Sequence, residues 1–296
     1  MDPYYGNISC QCNLKNGNPC TNGAYWRVEE EPAHFRCGNH SEDIERTKLV
    51  IDPGKKKNDL IKERYNEAEE AMKSNKGKGN VICGKTRFKI KTPYTQGYFN
   101  VFPNYRHQDR KGGFGCSSLS PMIIGPIEHG QPGLPNSVNL ENFYQGNKVF
   151  KDEIYGKNDE TNEFFETQLI MYNDKIPHRH KIGHKGKTPR YWLWKTKNGS
   201  YEKLGYIDSR QFYCTFYERM VKYLPDLKKL KEMVEEGWNL QILGYDGNSD
   251  LTVDTIEDAY LDVKKPFGHE SVLFTILTIP EEQYPWTIHK TEELWS

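Results

Sequence analysis

Four of the seven cysteines, Cys10, Cys12, Cys20 and Cys37, fall within the first 37 residues of a 296-residue chain, and a histidine, His40, follows at once. That crowding limits what the first forty residues can fold into. They carry too few aliphatic side chains to bury a self-sufficient core, so a cross-link must replace one. The N-terminus has neither a basic stretch nor an apolar run, so it gives no secretory signal, and clustered thiols then point to metal before disulfides. Cys12, Cys20, Cys37 and His40 form C-x7-C-x16-C-x2-H, with Cys10 as an alternative to Cys12. Three thiolates and an imidazole suit tetrahedral zinc in a structural role, since four protein ligands leave no open position for catalysis.

The rest of the chain predicts an α+β fold: a mostly helical main domain with a small sheet, preceded by the small zinc-binding module. The expected divisions are residues 1–45 for the module, 46–80 for a charged helix and flexible linker, and 81–296 for the main domain. Helices are predicted at 138–149, 160–172, 206–222, 225–236 and 267–278, with strands at 81–91, 98–102 and 239–244. Gly237 is placed to end the helix over 225–236. A mean hydropathy of −0.86 is offset by 19 Tyr and 6 Trp, which supply large rings for a core. No apolar run is long enough for a membrane span, so an intracellular protein is expected, in the cytoplasm or, for a viral protein, in host cytoplasm or virion. The 41 basic and 41 acidic residues balance, which disfavours a coat for nucleic acid but leaves room for a local basic site.

Candidate chemistry begins at residues 138–150. A helix there sets Glu141, Gln145 and Lys148 at i, i+4 and i+7, on one stripe. The preceding loop, 119–138, is punctuated by Pro and Gly, as rigid positioning loops often are. Beside Lys148, Glu141 is expected to keep a low pKa and to act electrostatically. Residues 175–198 hold eight Lys or Arg, three His and no acid. Lys187 and Arg190 are candidate phosphate ligands, and Trp194 and Tyr144 candidate stacking faces. Arg210 lies one turn before the apolar stripe Tyr213, Phe216, Tyr217 and Met220, from which it can point toward a ligand. Asp246 follows the strand at 239–244. His269 and Glu270 fall in the first turn of the last long helix, near the positive end of its dipole.

Residues 119–150, 188–217, 239–247 and 266–273 together resemble a divergent relative of the NADAR superfamily, of the kind found in microbes and large DNA viruses. Those proteins act on NAD- and ADP-ribose-derived molecules. The closest segment is Glu141-Asn-Phe-Tyr-Gln145-Gly-Asn-Lys148. Asn142 stands where such proteins place a histidine, and their late Asp-x-x-Trp-Gly-x-Gly segment has no counterpart beyond Asp246-Gly247 and Phe267-Gly268-His269. The resemblance implies a pocket for a nucleotide-linked ribose or ADP-ribose, and hydrolysis of an N-glycosidic bond. Glu141, Asp246, His269 and Glu270 would then be the catalytic set, and Gln145, Lys148, Tyr144, Lys187, Arg190, Trp194 and Arg210 the ligand-binding set. The second reading is a non-catalytic, zinc-bearing protein that binds nucleic acid or a protein partner, such as a virion component.

Overall fold

The computed structural model describes residues 10–29, 34–49, 53–86, 94–104, 112–156 and 159–290. It shows a mixed α+β protein with substantial helix and small sheets. The chain divides into two compact units, Met1–Leu60 and Ile61–Ser296. Among the described residues, no helix is long and apolar enough to cross a membrane.

In the first unit three two-residue strands, β1 (Trp26–Arg27), β2 (Phe35–Arg36) and β3 (Thr47–Lys48), pair antiparallel in the order β2-β1-β3. The Arg46 guanidinium lies 4.1 Å above the Trp26 ring. The buried cluster of this unit is Cys10, Cys20 and Cys37, with Cys12 packed at its side. A core made of thiols rather than aliphatics is the structural form of the deficit read from the sequence.

Helix α1 (Pro53–Ser74) leads to β4 (Val81–Lys85), β5 (Phe99–Phe102) and β6 (Phe114–Gly115). Then come α2 (Leu140–Gly146), β7 (Lys148–Val149), the hairpin β8 (Ile154–Tyr155) with β9 (Asp159–Glu160), and α3 (Asn162–Asn173). The hairpin β10 (Tyr191–Lys195) with β11 (Tyr201–Leu204) precedes α4 (Tyr206–Val221) and α5 (Pro225–Glu235). The last elements are β12 (Leu240–Gly244), α6 (Ile256–Leu261), α7 (His269–Thr278) and α8 (Pro285–Ile288).

One sheet is parallel, in the order β4-β12-β5-β6, so the late strand β12 inserts between two early ones. All five residues of β12 are buried, as a central parallel strand covered on both faces requires. The other principal sheet is antiparallel, β11-β10-β7. Its Trp192 and Trp194 enter the main core, while Leu193 faces a satellite cluster with Val149 and Phe164. Phe143 of α2 meets His129, Tyr172, Trp194, Phe212 and Phe216 ring to ring, with centroids 5.1 to 6.1 Å away. The stripe Tyr213, Phe216 and Tyr217 is buried as expected, with Met220 packed against it.

The structure changes two local expectations and describes only part of a third. The helix over 138–149 ends at Gly146, and Lys148 opens β7 instead. A Cβ at Gly146 would already touch the Tyr172 ring, and the Asn147 side chain bonds back to the Phe143 carbonyl, so the chain turns off the helix there. The stretch 75–80 is pinned rather than free. Asn75 bonds to the Gly237 carbonyl, the Gly79 amide to the Val234 carbonyl, and Lys78 pairs with Glu235. The strand over 81–91 is observed to Lys85; residues 87–93 lie outside the described residues. Gly237, by contrast, behaves as predicted. It has φ +97°, and the amides of Gly237 and Trp238 bond to the carbonyls of Val234 and Met233, the paired bonds of a left-handed helix stop.

Candidate functional site

Glu141 is positioned from both directions along the chain. The Asn139 side chain caps α2 by accepting the Asn142 amide at 2.8 Å. The amides of Leu140 and Glu141 bond to the carbonyls of Ile124 and Pro121, so the loop before the helix is tied to its first turn. Within that loop His129 donates from Nε2 to the Pro135 carbonyl and accepts the Gln131 amide at Nδ1, and burial lowers its pKa. It is a neutral, structural imidazole stacked on Phe143.

Glu141 keeps some solvent contact although protein crowds it closely. Gln145 donates to its Oε1 at 2.9 Å. Lys148, arriving on β7, still lies near it, with Nζ 4.8 Å from the Tyr144 ring centroid and 5.6 Å from that of Trp192. Burial pushes the Glu141 carboxyl above the usual carboxylate range, against the pull of Gln145, Lys148, His269 and Arg179. The low pKa expected from Lys148 alone is therefore reversed, because desolvation of the carboxylate outweighs its partners. Burial likewise brings the Lys148 amine down to about 8, against the pull of Glu141.

A second group gathers at the carboxyl ends of the parallel strands, where ligands of open parallel sheets commonly sit. Strand β12 ends at Gly244, and a Cβ there would overlap the Glu270 carboxylate. Glu270 and His269 occupy the first turn of α7. His269 Nε2 must carry a proton, since its partner at 3.1 Å is the Pro103 carbonyl at the end of β5. That leaves Nδ1 facing Glu270 Oε2 at 3.2 Å, and this buried oxygen accepts no well-directed hydrogen bond. A Cβ at Gly268 would lie 3.4 Å from the Asp246 Cβ, which places Asp246 beside the same helix start. Tyr213 lies within electrostatic reach of both Glu141 and Glu270, which puts the two groups in one neighbourhood. Glu141, Gln145, Lys148, Tyr144, Asp246, His269 and Glu270 are thus brought together, on α2, β7, the end of β12 and the start of α7.

Other expected ligand residues are engaged elsewhere. Trp194 is fully buried among Phe143, Phe212 and Phe216 and offers no face to a base. Arg210 is buried and donates to the backbone carbonyls of Tyr260, Asp262 and Lys265, so it braces the chain between α6 and α7 instead of pointing at a ligand. Lys187 pairs with Asp152 at 2.6 Å. Arg190 is exposed, and nothing brings it to Glu141. Part of the basic segment pairs with acids outside it: Lys181 is buried against Glu153 at 2.6 Å, and His178 meets Asp174 at 2.6 Å.

Three residues of this neighbourhood went unread in the sequence. Tyr213 reads there only as core, and Tyr245 only as the neighbour of Asp246. Arg179, one charge in a basic run, lies with its guanidinium 4.8 Å from the Tyr245 ring centroid. Asn142, read in the sequence as standing where NADAR proteins place a histidine, is a brace. Its Nδ2 donates to the carbonyls of Asp174 and Ile176, and its Oδ1 accepts the His178 amide.

In the first unit Cys10, Cys20, Cys37 and His40 bring their ligand atoms within 4.8 Å of one another. The set that assembles therefore contains Cys10 and not Cys12. Cys12 remains beside it and is partly exposed. His40 presents Nδ1, at 3.2 Å from Cys10 Sγ and 3.4 Å from Cys37 Sγ. These are close to the ligand–ligand spacing, about 3.5 Å, of a tetrahedral zinc with N and S donors. Burial opposes ionisation of Cys10, but the amides of Cys37 and Cys12 together with His40 outweigh it and hold the thiol at about 6. The cluster is capable of coordinating a metal ion.

Comparison of the chain with protein families, with curated proteins and with solved structures finds no match.

Proposed function

We propose that a cleft between α2 and the start of α7 binds a phosphoribosyl or ADP-ribose-type ligand and hydrolyses its N-glycosidic bond, as in a divergent NADAR relative. The observation that carries this reading is the meeting of Glu141, whose pKa burial raises, with Lys148, whose pKa burial lowers to about 8. Pairs of groups whose environments move their pKa values toward neutrality are suited to proton transfer. Breaking the C1′–N bond builds positive charge on the ribose, which a carboxylate stabilises. Glu141 accepts the proton of the attacking water, Lys148 donates one to the departing nitrogen, and Gln145 holds the Glu141 carboxylate in place. Glu270, fixed against Gly244 with one oxygen that accepts no hydrogen bond, and Asp246 add negative charge on the facing side.

The thiol–imidazole set of the first unit holds, on this reading, one structural zinc. The alternative of a nucleic-acid- or protein-binding module, virion component included, draws less support, because Lys181, Lys187 and His178 of the basic segment are already paired with Glu153, Asp152 and Asp174.

The test is release of the free base from NAD, ADP-ribosylated nucleosides and ribosyl phosphates, followed chromatographically. Wild-type protein should release base from at least one of them. Glu141→Gln should lower turnover by about 10²- to 10⁴-fold, the usual contribution of a general base. Its affinity for the intact ligand should stay within about threefold, since the amide still accepts from Gln145. Unchanged turnover in Glu141→Gln, or no release by the wild type, overturns the reading.

A further inference from the structure

A cleft for a phosphorylated ribose needs a group to receive the phosphate, and the expected cations are committed elsewhere, save Arg190, which no contact among the described residues ties to Glu141. Lys187 is tied to Asp152, Arg210 to backbone carbonyls, and Lys148 lies over Tyr144 beside Glu141. Arg179 is different. It is exposed, within electrostatic reach of Glu141, and forms no ion pair with any described carboxylate.

Its placement is built. Asn142, on the same helix as Glu141 and Gln145, accepts the His178 amide at 2.7 Å and donates to the carbonyls of Asp174 and Ile176. Asp174 in turn binds the Ile176 amide at 2.8 Å and His178 Nε2 at 2.6 Å. The turn before Arg179 is thereby fastened to the frame that carries Glu141. On the far side Tyr245, next to Asp246 at the end of β12, offers its ring to the guanidinium. A guanidinium resting on an aromatic face is steadied in one plane while its N–H fork stays free, the arrangement suited to bidentate recognition of phosphate.

We propose that Arg179 is the anion receptor of this cleft, taking a ligand phosphate on its guanidinium while Tyr245 holds it at the mouth beside Glu141. The inference rests on the reading of the cleft as the ligand site and narrows its substrate class to ribose esters that carry a phosphate next to the reacting sugar. It also leaves Lys148 free for proton transfer.

The experiment is a calorimetric titration of the full chain with ribose 5-phosphate, ribose and ADP-ribose, in wild type, Arg179→Gln, Arg179→Lys and Lys229→Gln. Arg179 is exposed, so its variants should fold. Wild type should bind ribose 5-phosphate, and Arg179→Gln should weaken that binding about 10- to 100-fold, the loss expected for a charge-assisted contact. Arg179→Lys should restore only part of it, because an ammonium lacks the fork. Affinity for uncharged ribose should not respond to Arg179, and Lys229→Gln, on exposed α5 surface, should match the wild type. Equal binding of ribose 5-phosphate by wild type and Arg179→Gln overturns the receptor, as does its failure to bind wild type. Arg179-dependent binding with no bond cleavage upholds the receptor and sinks only the hydrolase reading. Glu141-dependent cleavage with phosphate affinity indifferent to Arg179 does the reverse.

Discussion

At the scale of single residues, Glu141 and Lys148 are a case of burial overruling charge pairing. Glu141 and Lys148 attract one another, yet each is moved toward its neutral form because the cost of desolvation exceeds the gain from the partner. Lys148 gives the cleaner handle. Its amine titrates at about 8 in the folded protein and near 10.5 when unfolded. Between those values the unfolded chain binds more protons, so stability contributed by this group rises with pH across that window and is lost as pH falls through about 8. Acylation of Lys148 by an amine reagent, followed by mass spectrometry, should therefore reach half its limiting rate near pH 8. In Glu141→Gln the midpoint should move lower, because the charge that holds the proton on Lys148 is gone. A midpoint near 10 in the wild type, or no displacement in the variant, would show that the two groups are not coupled across the cleft.

At the scale of elements, features dictated by local pattern separate clearly from those dictated by assembly. The stretch before β4 makes a test of this. Gly79 lies so close to the Trp238 carbonyl that a Cβ would overlap it, whereas nothing lies within 4 Å of one built at Gly77. Gly79→Ala should cost about 2 kcal/mol, an overpacking penalty, and lower the urea midpoint accordingly, while Gly77→Ala stays near neutral. Equal midpoints for both would restore the free linker that the Lys- and Gly-rich composition suggests. The helices α4, α5 and α7 and the strand β12 are legible in the sequence, because their apolar periods and the stop at Gly237 are local signals. The pairing of Glu141 with Gln145 is legible for the same reason. Lys148 is not, since the turn after Gly146 is imposed by Tyr172, a residue of α3 that meets α2 only in the folded chain. The Trp192-Leu193-Trp194 alternation of β10 is obscured by the surrounding Lys and Arg, so a core strand reads as a basic aromatic surface. Arg210 misleads in the same way: spacing places it on α4, but only the fold shows the carbonyls of Tyr260, Asp262 and Lys265 waiting for it. The convergence of Asp246, His269 and Glu270 depends on β12 inserting between β4 and β5, a topological fact with no trace in local sequence.

At the scale of the whole molecule, the two units rest on different chemistry. The second has an extended apolar core, whereas the first has a thiol cluster with short strands around it. In the absence of a cation, a thiolate at Cys10 raises the pKa of its neighbours, and both Cys12 and Cys20 are held above the ordinary thiol value; burial is the largest cause at Cys12, while at Cys20 the Asn22 amide pulls the other way and is outweighed. A divalent ion removes that conflict by stabilising every thiolate it touches, so its binding energy becomes folding energy for this unit. Purified protein should then carry about one zinc per chain, a stoichiometry set by four ligands. Chelation should abolish hydrogen-exchange protection at the amides of Cys20, Tyr25, Val28 and Leu49, which bond within this unit, and zinc should restore it. The choice between neighbouring cysteines is the sharper part of the expectation. Cys10→Ser should lose the metal, because it removes a buried ligand 3.2 Å from His40 Nδ1. Cys12→Ser should keep it, because Cys12 stands at the side of the set. Metal lost in Cys12→Ser and retained in Cys10→Ser would exchange the two residues and return the ligand set to the spacing C-x7-C-x16-C-x2-H. Full protection in the presence of chelator would mean that the thiols hold this unit together as packed side chains, without any ion.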